Sequence, residues 1–159
     1  TLRTLGKDQN TNLKNLKVLL KEAEIKDPST KRKISQMEDK WKEKLSEEQF
    51  RVLREKGTER PFTGKYVDHK ADGKYHCVAC GNALFDSTTK FESGSGWPSF
   101  YDSLPNAVGT KDDRSWFVTR TEVHCRRCGS HMGHIFDDGP APTGLRHCIN
   151  GIAMTFKAN

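Results

Sequence analysis

Two short stretches of this chain share one pattern: Cys77-Val78-Ala79-Cys80-Gly81 and Cys125-Arg126-Arg127-Cys128-Gly129. In each, two residues separate the thiols, and the glycine that follows lets the backbone turn beneath a bound ion. Together they offer four thiolates, the ligand set of a closed tetrahedral zinc site. Redox-active Cys-x-x-Cys motifs and structural disulfides are the alternatives, and the matched pair favours zinc. Four sulfurs leave no open coordination position, so the predicted zinc is structural.

The spacing of the two motifs indicates the fold class. The 44 residues between them exceed the spacing of a zinc ribbon, so a substantial piece of sheet must separate them. Beyond residue 66, short apolar segments alternate with turns rich in Gly, Pro, Asp and Asn, which is typical of antiparallel strands. The candidate strands are 75–78, 116–119, 121–124 and 148–156, and the last is the clearest.

Helical periodicity is confined to the N-terminal part. Apolar residues recur at helical spacing within 13–26 and from 34 to 45. Ser46 and Gln49 have the capping-box arrangement that opens a short helix, and Gly57 is the expected stop. We therefore predict a few short helices before an antiparallel β domain.

Charge divides the chain at the same place. Residues 1–45 carry twelve Lys/Arg and seven Asp/Glu, whereas residues 46–159 carry fifteen and fourteen. We predict a basic helical N-terminal extension over 1–45 and a separate, nearly neutral domain over 46–159. The extension reads either as a basic arm for nucleic acid or anionic membrane, or as an amphipathic helix pair that packs on the domain or on itself. Aromatic residues do not interleave with its charges, which favours the helix pair.

The fifth cysteine, Cys148, has no partner in this scheme. It heads the predicted strand 148–156, where alternation would place Cys148 and Asn150 on one face. Arg146 and His147 precede the sulfur and would favour its thiolate form. A buried core cysteine is the alternative, since cysteine is common inside proteins.

Two further segments could form a pocket around that thiol. The loop over residues 94–100 offers Trp97 and Phe100 as an apolar wall, although such loops often serve only packing. His131 and His134 lie three residues apart, and because sulfur already satisfies the zinc, they suit general-acid or hydrogen-bonding roles. Surface histidines beside an acidic turn are the alternative.

Taken together and in this order, the motifs resemble methionine-R-sulfoxide reductase B. The resemblance runs from about Ser46 to Phe156 and rests on the two cysteine motifs, the Gly-Trp-Pro-Ser-Phe loop, the His-x-x-His-x-Phe-Asp-Asp segment and Arg-His-Cys-Ile-Asn. It implies a mainly β fold of antiparallel sheets, tent- or barrel-like, stapled by one structural zinc bound to Cys77, Cys80, Cys125 and Cys128. Residues 46–159 would then be a zinc-containing reductase domain.

The resemblance also implies roles for individual residues. Cys148 would attack the sulfoxide sulfur and become a sulfenic acid. His131 and His134 would bind and protonate the sulfoxide oxygen, and Trp97 would receive the substrate's methyl group. The supporting residues would be Asp138 and Asn150 in the hydrogen-bond network and Arg146 beside the thiolate.

Two positions depart from the family pattern. Many members have a second, resolving cysteine where this chain has Ser95, so the chain resembles a one-cysteine form, and an engineered Cys→Ser change is the alternative. Recycling would then require an external thiol, either a thioredoxin-type reductant or a small thiol such as glutathione. His147 stands where tyrosine is commoner and puts a titratable group next to the nucleophile.

The expected function is repair of oxidised proteins by a monomer that binds neither nucleic acid nor membrane. A zinc-stapled binding module and a redox sensor without turnover are the competing classes. The cysteines fit a reducing compartment, so we expect a cytoplasmic protein. The alternative is the mitochondrial matrix or another organelle, if a targeting segment preceded Thr1.

Overall fold

The computed structural model of the protein describes Gln36 and residues 38–159. The helix predicted over 13–26 and the start of the one from residue 34 lie outside these residues. Residues 38–44 are helical, and the side chains of Trp41 and Leu45 pack against the core of the domain. None of the described helices is long and apolar enough to cross a bilayer. The division of the chain at residue 45 stays a prediction.

Helix α1 spans Glu47–Leu53 and begins as its capping box predicts. The Ser46 Oγ accepts a hydrogen bond from the Gln49 N–H at 3.2 Å, and the Gln49 Oε1 accepts one from the Ser46 N–H at 2.9 Å. These bonds satisfy two N–H groups that lack a partner within the helix. The helix buries Phe50, Val52 and Leu53 against the β domain.

The backbone after α1 turns at a different residue from the one that the sequence predicts. The left-handed residue after the helix is Lys56, with φ of 60°, and not the predicted Gly57. Gly57 is needed for a different reason, because a Cβ there would lie 2.9 Å from the carbonyl oxygen of Arg51. A lysine therefore occupies a backbone conformation that glycine adopts at lower cost.

The described chain forms two antiparallel sheets, as the mainly β prediction requires. The strands are β1 Gly73–Cys77, β2 Ala83–Asp86, β3 Lys90–Phe91, β4 Ser99–Phe100, β5 Val108–Asp113, β6 Arg120–Cys125, β7 His131–Phe136, β8 Arg146–Ile149 and β9 Met154–Ala158. One sheet has the order β2-β1-β9 and the other β3-β4-β8-β7-β6-β5.

The predicted single strand over 148–156 was wrong. Strand β8 ends at Ile149, a 3-10 helix spans Gly151–Ala153, and β9 begins at Met154 in the other sheet. The buried carboxylate of Glu59 holds this turn by accepting hydrogen bonds from the Gly151 and Ile152 N–H groups, each at 2.9 Å. Because Glu59 lies far away in sequence, local alternation could not reveal the break.

The predicted strand over 116–119 was also wrong. Ser115–Phe117 is a 3-10 helix, and Phe117 and Val118 are exposed. The exposed side chains of Phe117 and Val118 therefore do not contribute to the core. The predictions for 75–78 and 121–124 were confirmed as strands β1 and β6, with shifted ends.

The predicted site residues His131, His134 and Cys148 lie on central strands of the larger sheet. Strand β7 carries the two histidines, and β8 carries Cys148 beside it, with His134 and Cys148 as Cα partners. A Cβ on Gly133 would lie within 1.9 Å of the Cys148 carbonyl oxygen, so glycine permits the close approach of these two strands. A central strand pair is a rigid base for reacting groups.

Candidate active site

A cavity of about 230 Å³ lies against the paired strands β7 and β8. Cys148 lines it together with five other residues singled out from the sequence. The lining residues are Thr58, Ser95, Trp97, Arg120, Gly133, His134, Phe136, Arg146, Cys148 and Asn150. The structure therefore assembles residues from five separated parts of the chain around one thiol.

Cys148 is half-buried and forms no disulfide. Burial raises the pKa of its thiol, whereas the charge of Arg146 and a hydrogen bond with the Ser95 hydroxyl act in the opposite direction. The net shift is upward, so Arg146 reduces the cost of ionisation without overcoming the effect of burial. In the free enzyme Cys148 is thus mostly a thiol at neutral pH.

The loop before β4 brings Ser95 and Trp97 to the cavity. The Trp97 Nε1–H donates to the Glu59 carbonyl oxygen at 3.0 Å, which fixes the orientation of the indole ring. The Ser95 hydroxyl lies 2.8 Å from that of Ser93, which in turn lies 2.7 Å from the Ser99 hydroxyl. A short chain of hydroxyl groups therefore leads to the position beside the Cys148 sulfur.

His134 reaches the cavity with a carboxylate behind it. Its Nε2 lies 2.7 Å from Oδ2 of Asp113 on β5. Burial lowers the pKa of His134 to about 4, although the hydrogen bond to Asp113 acts to raise it. Burial also opposes ionisation of Asp113, yet hydrogen bonds from His134 and Ser115 and the charge of Lys56 hold the pKa of this carboxyl well below its usual range.

His131 lies behind His134 and does not line the cavity. The two rings are 5.4 Å apart between centroids, in an edge-to-face arrangement. Nδ1 of His131 is 3.6 Å from Oε2 of Glu122, and both side chains are fully buried. Burial lowers the pKa of His131 to about 3, so it is neutral at pH 7.

Arg146 and Asp138 form a pair at the cavity rim. The Arg146 Nε donates to Oδ1 of Asp138 at 2.8 Å, and Nη2 donates to Oδ2 at 3.2 Å. The guanidinium group also lies over the Phe136 ring, 4.4 Å from its centroid. Asp138 therefore orients the arginine beside Cys148, whereas the carboxylate that contacts a histidine is that of Asp113.

Asn150 braces the wall of the cavity. Its Nδ2 donates to the Met132 carbonyl oxygen and its Oδ1 accepts from the Glu59 N–H, both at 3.0 Å. These bonds tie the end of β8 to β7 and to the segment after α1. Both Asn150 and Trp97 are therefore held by Glu59.

The structure places two other residues of interest away from the cavity. Phe100 is completely buried and stacks on Phe85, with ring centroids 4.4 Å apart. His147 is buried on the same side, and its Nδ1 lies 3.0 Å from the Phe100 carbonyl oxygen. Because side chains alternate along β8, the His147 ring points into the core while Cys148 points into the cavity. Phe100 is thus a core residue rather than part of the wall, and His147 does not face the thiol.

Sequence reasoning missed several residues that shape this site, namely Thr58, Glu59, Asp113, Arg120 and Glu122. They are scattered polar residues in strands and loops, and no spacing connects them to a motif. Glu122 lies in a segment that we predicted as a strand, but nothing in the sequence indicates that its side chain is buried there. Arg120 donates to Asp113 Oδ2 at 3.4 Å and so belongs to the same network.

The four remaining cysteines form a second centre. The Sγ atoms of Cys77, Cys80, Cys125 and Cys128 all lie within 4.8 Å of one another, and none forms a disulfide. The Sγ distances are 3.7 Å between Cys77 and Cys128 and 3.6 Å between Cys80 and Cys125. Such a cluster of thiols could hold a metal ion, so the disulfide alternative does not fit this structure.

The two halves of this cluster have matching backbones. The Gly81 N–H donates to the Cys77 carbonyl oxygen, and the Gly129 N–H donates to that of Cys125, both at 2.8 Å. Both glycines have positive φ, of 81° and 76°. Cys77 is the last residue of β1 and Cys125 the last of β6, so the cluster joins the two sheets.

Comparison with known proteins agrees with this architecture. The SelR domain family matches residues 45–158. A protein named peptide methionine sulfoxide reductase MsrB from Methanosarcina barkeri is 56% identical over 125 residues, covering 78% of this chain and 88% of that protein. Proteins of the same name from Methanosarcina mazei and Thiobacillus denitrificans are 55% and 56% identical, covering 78% and 73% of this chain and 89% of each relative.

Among solved structures, the 'Yippee-like' domain of Mis18 is similar over 55% of this chain and 97% of its own, with a TM-score of 0.45 and 16% identity. A likeness at that level supports no functional inference. The identity to the reductases extends over most of both chains, and the family match spans the whole β domain. This chain therefore belongs to the MsrB family of peptide methionine sulfoxide reductases.

Proposed function

We propose that this protein reduces methionine-R-sulfoxide, in oxidised proteins and as the free amino acid, to methionine, with Cys148 as its nucleophile. One observation carries this proposal. The Cys148 thiol opens onto a cavity that Trp97 and His134 also line, whereas the other four cysteines are gathered in a separate cluster. Of the five thiols, that of Cys148 is therefore the one proposed to meet the substrate.

The reaction uses that sulfur as a two-electron reductant. The Cys148 thiolate attacks the sulfoxide sulfur while the sulfoxide oxygen takes up a proton, because an unprotonated oxygen is a poor leaving group. The protonated oxygen then transfers from the substrate sulfur to the Cys148 sulfur, the S–S bond formed by the attack breaks, and methionine departs with its sulfur reduced. Cys148 is left as a sulfenic acid, two electrons poorer.

His134 is the proposed proton donor. It lines the cavity, and the carboxylate of Asp113 lies behind its ring and favours the imidazolium form that can give up a proton. His131, whose ring packs edge-to-face behind that of His134, helps to hold the proton donor in place. Asn150 holds the wall, and the Arg146–Asp138 pair favours the thiolate.

Trp97 is the proposed determinant of epimer choice. Its indole ring is fixed by Glu59 and offers an aromatic surface for the methyl group of the substrate. With the methyl group against the Trp97 ring and the oxygen toward His134, only one configuration at sulfur leaves the sulfoxide sulfur open to attack by Cys148. The other epimer would have to exchange these two groups.

Recycling is proposed to use an external thiol. The residue beside Cys148 is Ser95, and the remaining cysteines belong to the cluster, so the described chain offers no resolving thiol at the cavity. A thioredoxin-type reductant or a small thiol would attack the sulfenic acid directly. Mass spectrometry after one turnover without reductant should find a sulfenic acid on Cys148, and an intramolecular disulfide there would refute this scheme.

The metal held by the four cysteines is proposed to be one structural zinc ion. Zinc–sulfur bonds of about 2.3 Å in a tetrahedron require sulfurs about 3.8 Å apart. The observed distances of 3.6 and 3.7 Å support this assignment. The ion would neutralise the thiolates and hold the sheets together without contacting substrate.

The remaining expectations stand as proposals. A reducing compartment such as the cytoplasm would keep the thiols of this protein reduced, which supports that location. We retain the basic extension over 1–45, the reductase domain over 46–159 and a monomeric state.

The deciding experiment is an assay with the two separated epimers of dabsyl-methionine sulfoxide, with dithiothreitol and with thioredoxin as reductants. We expect consumption of the R epimer alone and its loss in Cys148→Ser, which leaves the metal cluster intact. Equal turnover of both epimers, or full activity of Cys148→Ser, would overturn the proposal. The ratio of the two reductants' rates identifies the better recycling thiol.

A further inference from the structure

Behind the two histidines lies a buried group of charges that the reaction scheme does not use. Glu122 is almost completely buried, and Asp113 is nearly so. Each contacts one histidine, Glu122 through His131 and Asp113 through His134. Two carboxylates withdrawn from water in this way need a cation to remain ionised together.

Lys56 is a cation that the two carboxylates share. Its Nζ lies 2.5 Å from Oε2 of Glu122 and 3.9 Å from Oδ1 of Asp113, so a single ammonium group is within ion-pair distance of both. Arg120 also pairs with Asp113, at 3.4 Å, but the structure gives it no pair with Glu122. Its side chain is only 20% exposed, which is unusual for lysine. Lys111 also approaches Glu122, but at 3.9 Å and through the other oxygen.

The backbone at Lys56 supports a specific role for its side chain. Its φ of 60° is left-handed, a conformation in which glycine would be less strained. Strain of this kind persists where the surrounding structure requires a particular residue. Here the side chain that glycine would lack is the one that reaches the buried carboxylates.

We propose that Lys56 is a positioning residue of the reaction, because its ammonium group lies between the Glu122 and Asp113 carboxylates and holds both carboxylate–histidine pairs in place behind the cavity. Lys56 does not line the cavity and touches no reacting atom. It acts through the histidines, and this inference rests on the proposed reductase function.

The charge of Lys56 also bears on histidine protonation. Burial lowers the pKa of His131 most, and the positive charge of Lys56 lowers it further. Loss of that charge should raise the pKa of His131 by about one unit. The charged groups that face the histidines from the packed elements are Lys56 after α1, Lys111 and Asp113 on β5, and Arg120 and Glu122 on β6, with His131 and His134 on β7.

The test compares Lys56→Met with Lys56→Arg, which keeps the charge. The control is Lys70→Met, which removes the same charge from an exposed pair with Glu92. In Lys56→Met, we expect the histidine-governed limb of the kcat profile to move to higher pH by about one unit, with KM changed less than twofold. Lys56→Arg and Lys70→Met should retain the wild-type profile. Coincident profiles for Lys56→Met and wild type would overturn the proposal.

Two further measurements separate the possible failures. Between pH 5 and 4, the His131 Hε1 NMR signal should move several times further in Lys56→Met than in the wild type, whether or not the enzyme turns over, because its pKa is about 3 in the wild type and is expected to rise by about one unit in the variant. If wild type is inactive on both epimers, the proposed function fails, and this titration still decides the role of Lys56. If Lys56→Met folds poorly, the double variant Lys56→Met/Glu122→Gln should recover much of the lost Tm, since it removes both charges of the pair. No recovery would count against the charge role.

Discussion

The Nε2 atom of His134 lies 2.7 Å from Oδ2 of Asp113, so a histidine that lines the cavity against β7 and β8 contacts a carboxylate on β5. This contact spans one intervening strand, since β6 lies between β5 and β7. It supplies a negative charge behind the ring, which opposes the lowering of the His134 pKa by burial without outweighing it.

Asp113→Asn tests this relationship. The variant keeps the size of the side chain and removes the charge that favours the imidazolium, so we expect kcat to fall by roughly ten- to a hundredfold with little change in KM. Steady-state kinetics on the R epimer measures both constants. Asp112→Asn is the matched control, because Asp112 is the exposed neighbour on the same strand. Equal kcat values in the two variants would contradict a role for Asp113.

The pH dependence of Cys148 alkylation tests the balance at the thiol. Burial raises the pKa of Cys148, so iodoacetamide labelling should reach half its maximal rate above about pH 8.5, the value for a free thiol. Arg146 opposes that shift, and Arg146→Met should move the midpoint up by about one unit. Asp138→Asn keeps the arginine charge and should not raise it. An unchanged midpoint in Arg146→Met would show that the arginine charge does not reach the sulfur.

Glu59→Gln tests the turn that ends β8. The amide retains one acceptor for the two N–H groups of Gly151 and Ile152, so one of them loses its partner in a buried position. We expect the free energy of unfolding to fall by about 2 kcal/mol, measured by urea denaturation. Activity should fall as well, because the same segment orients Trp97 and Asn150. Glu92→Gln, at an exposed pair, is the control.

Removal of the metal tests the cysteine cluster. Because the four sulfurs join β1 of one sheet to β6 of the other, we expect a chelator to lower Tm by at least about 10 °C. Thermal melting followed by circular dichroism, with the released metal quantified, provides the measurement. The chelator should lower the Tm of Cys148→Ser by the same amount, because this variant keeps all four cysteines of the cluster. A metal-stripped sample with an unchanged Tm would rule out a structural role for the ion.

The sequence was most informative where chemistry and spacing coincide within a short segment. Cys77, Cys80, Cys125 and Cys128 were found because paired cysteines followed by glycine are a local geometry that metal binding requires. Cys148 followed as the thiol without a partner. The capping box at Ser46 was equally readable, since its two hydrogen bonds join residues three apart.

The tertiary structure decided what depends on residues distant in sequence. The break between β8 and β9 is held by Glu59, about ninety residues earlier, and a periodic apolar pattern carries no trace of it. Phe100 was expected at the cavity and lies in the core, because a pattern reveals that an aromatic residue is apolar and not which way it faces.

The sequence by itself therefore singled out Cys148 as the proposed nucleophile and determined the cysteine cluster and the mainly β class, each through residue types whose chemistry is specific at short range. Only the tertiary structure decided which groups surround that thiol. Asp113, Glu122 and Lys56 acquire their roles through burial beside the histidines, and burial is a property of the packed sheets rather than of any segment. The type of a charged residue does not reveal whether it lies at the surface or in the interior, but only in the interior does its charge require a partner.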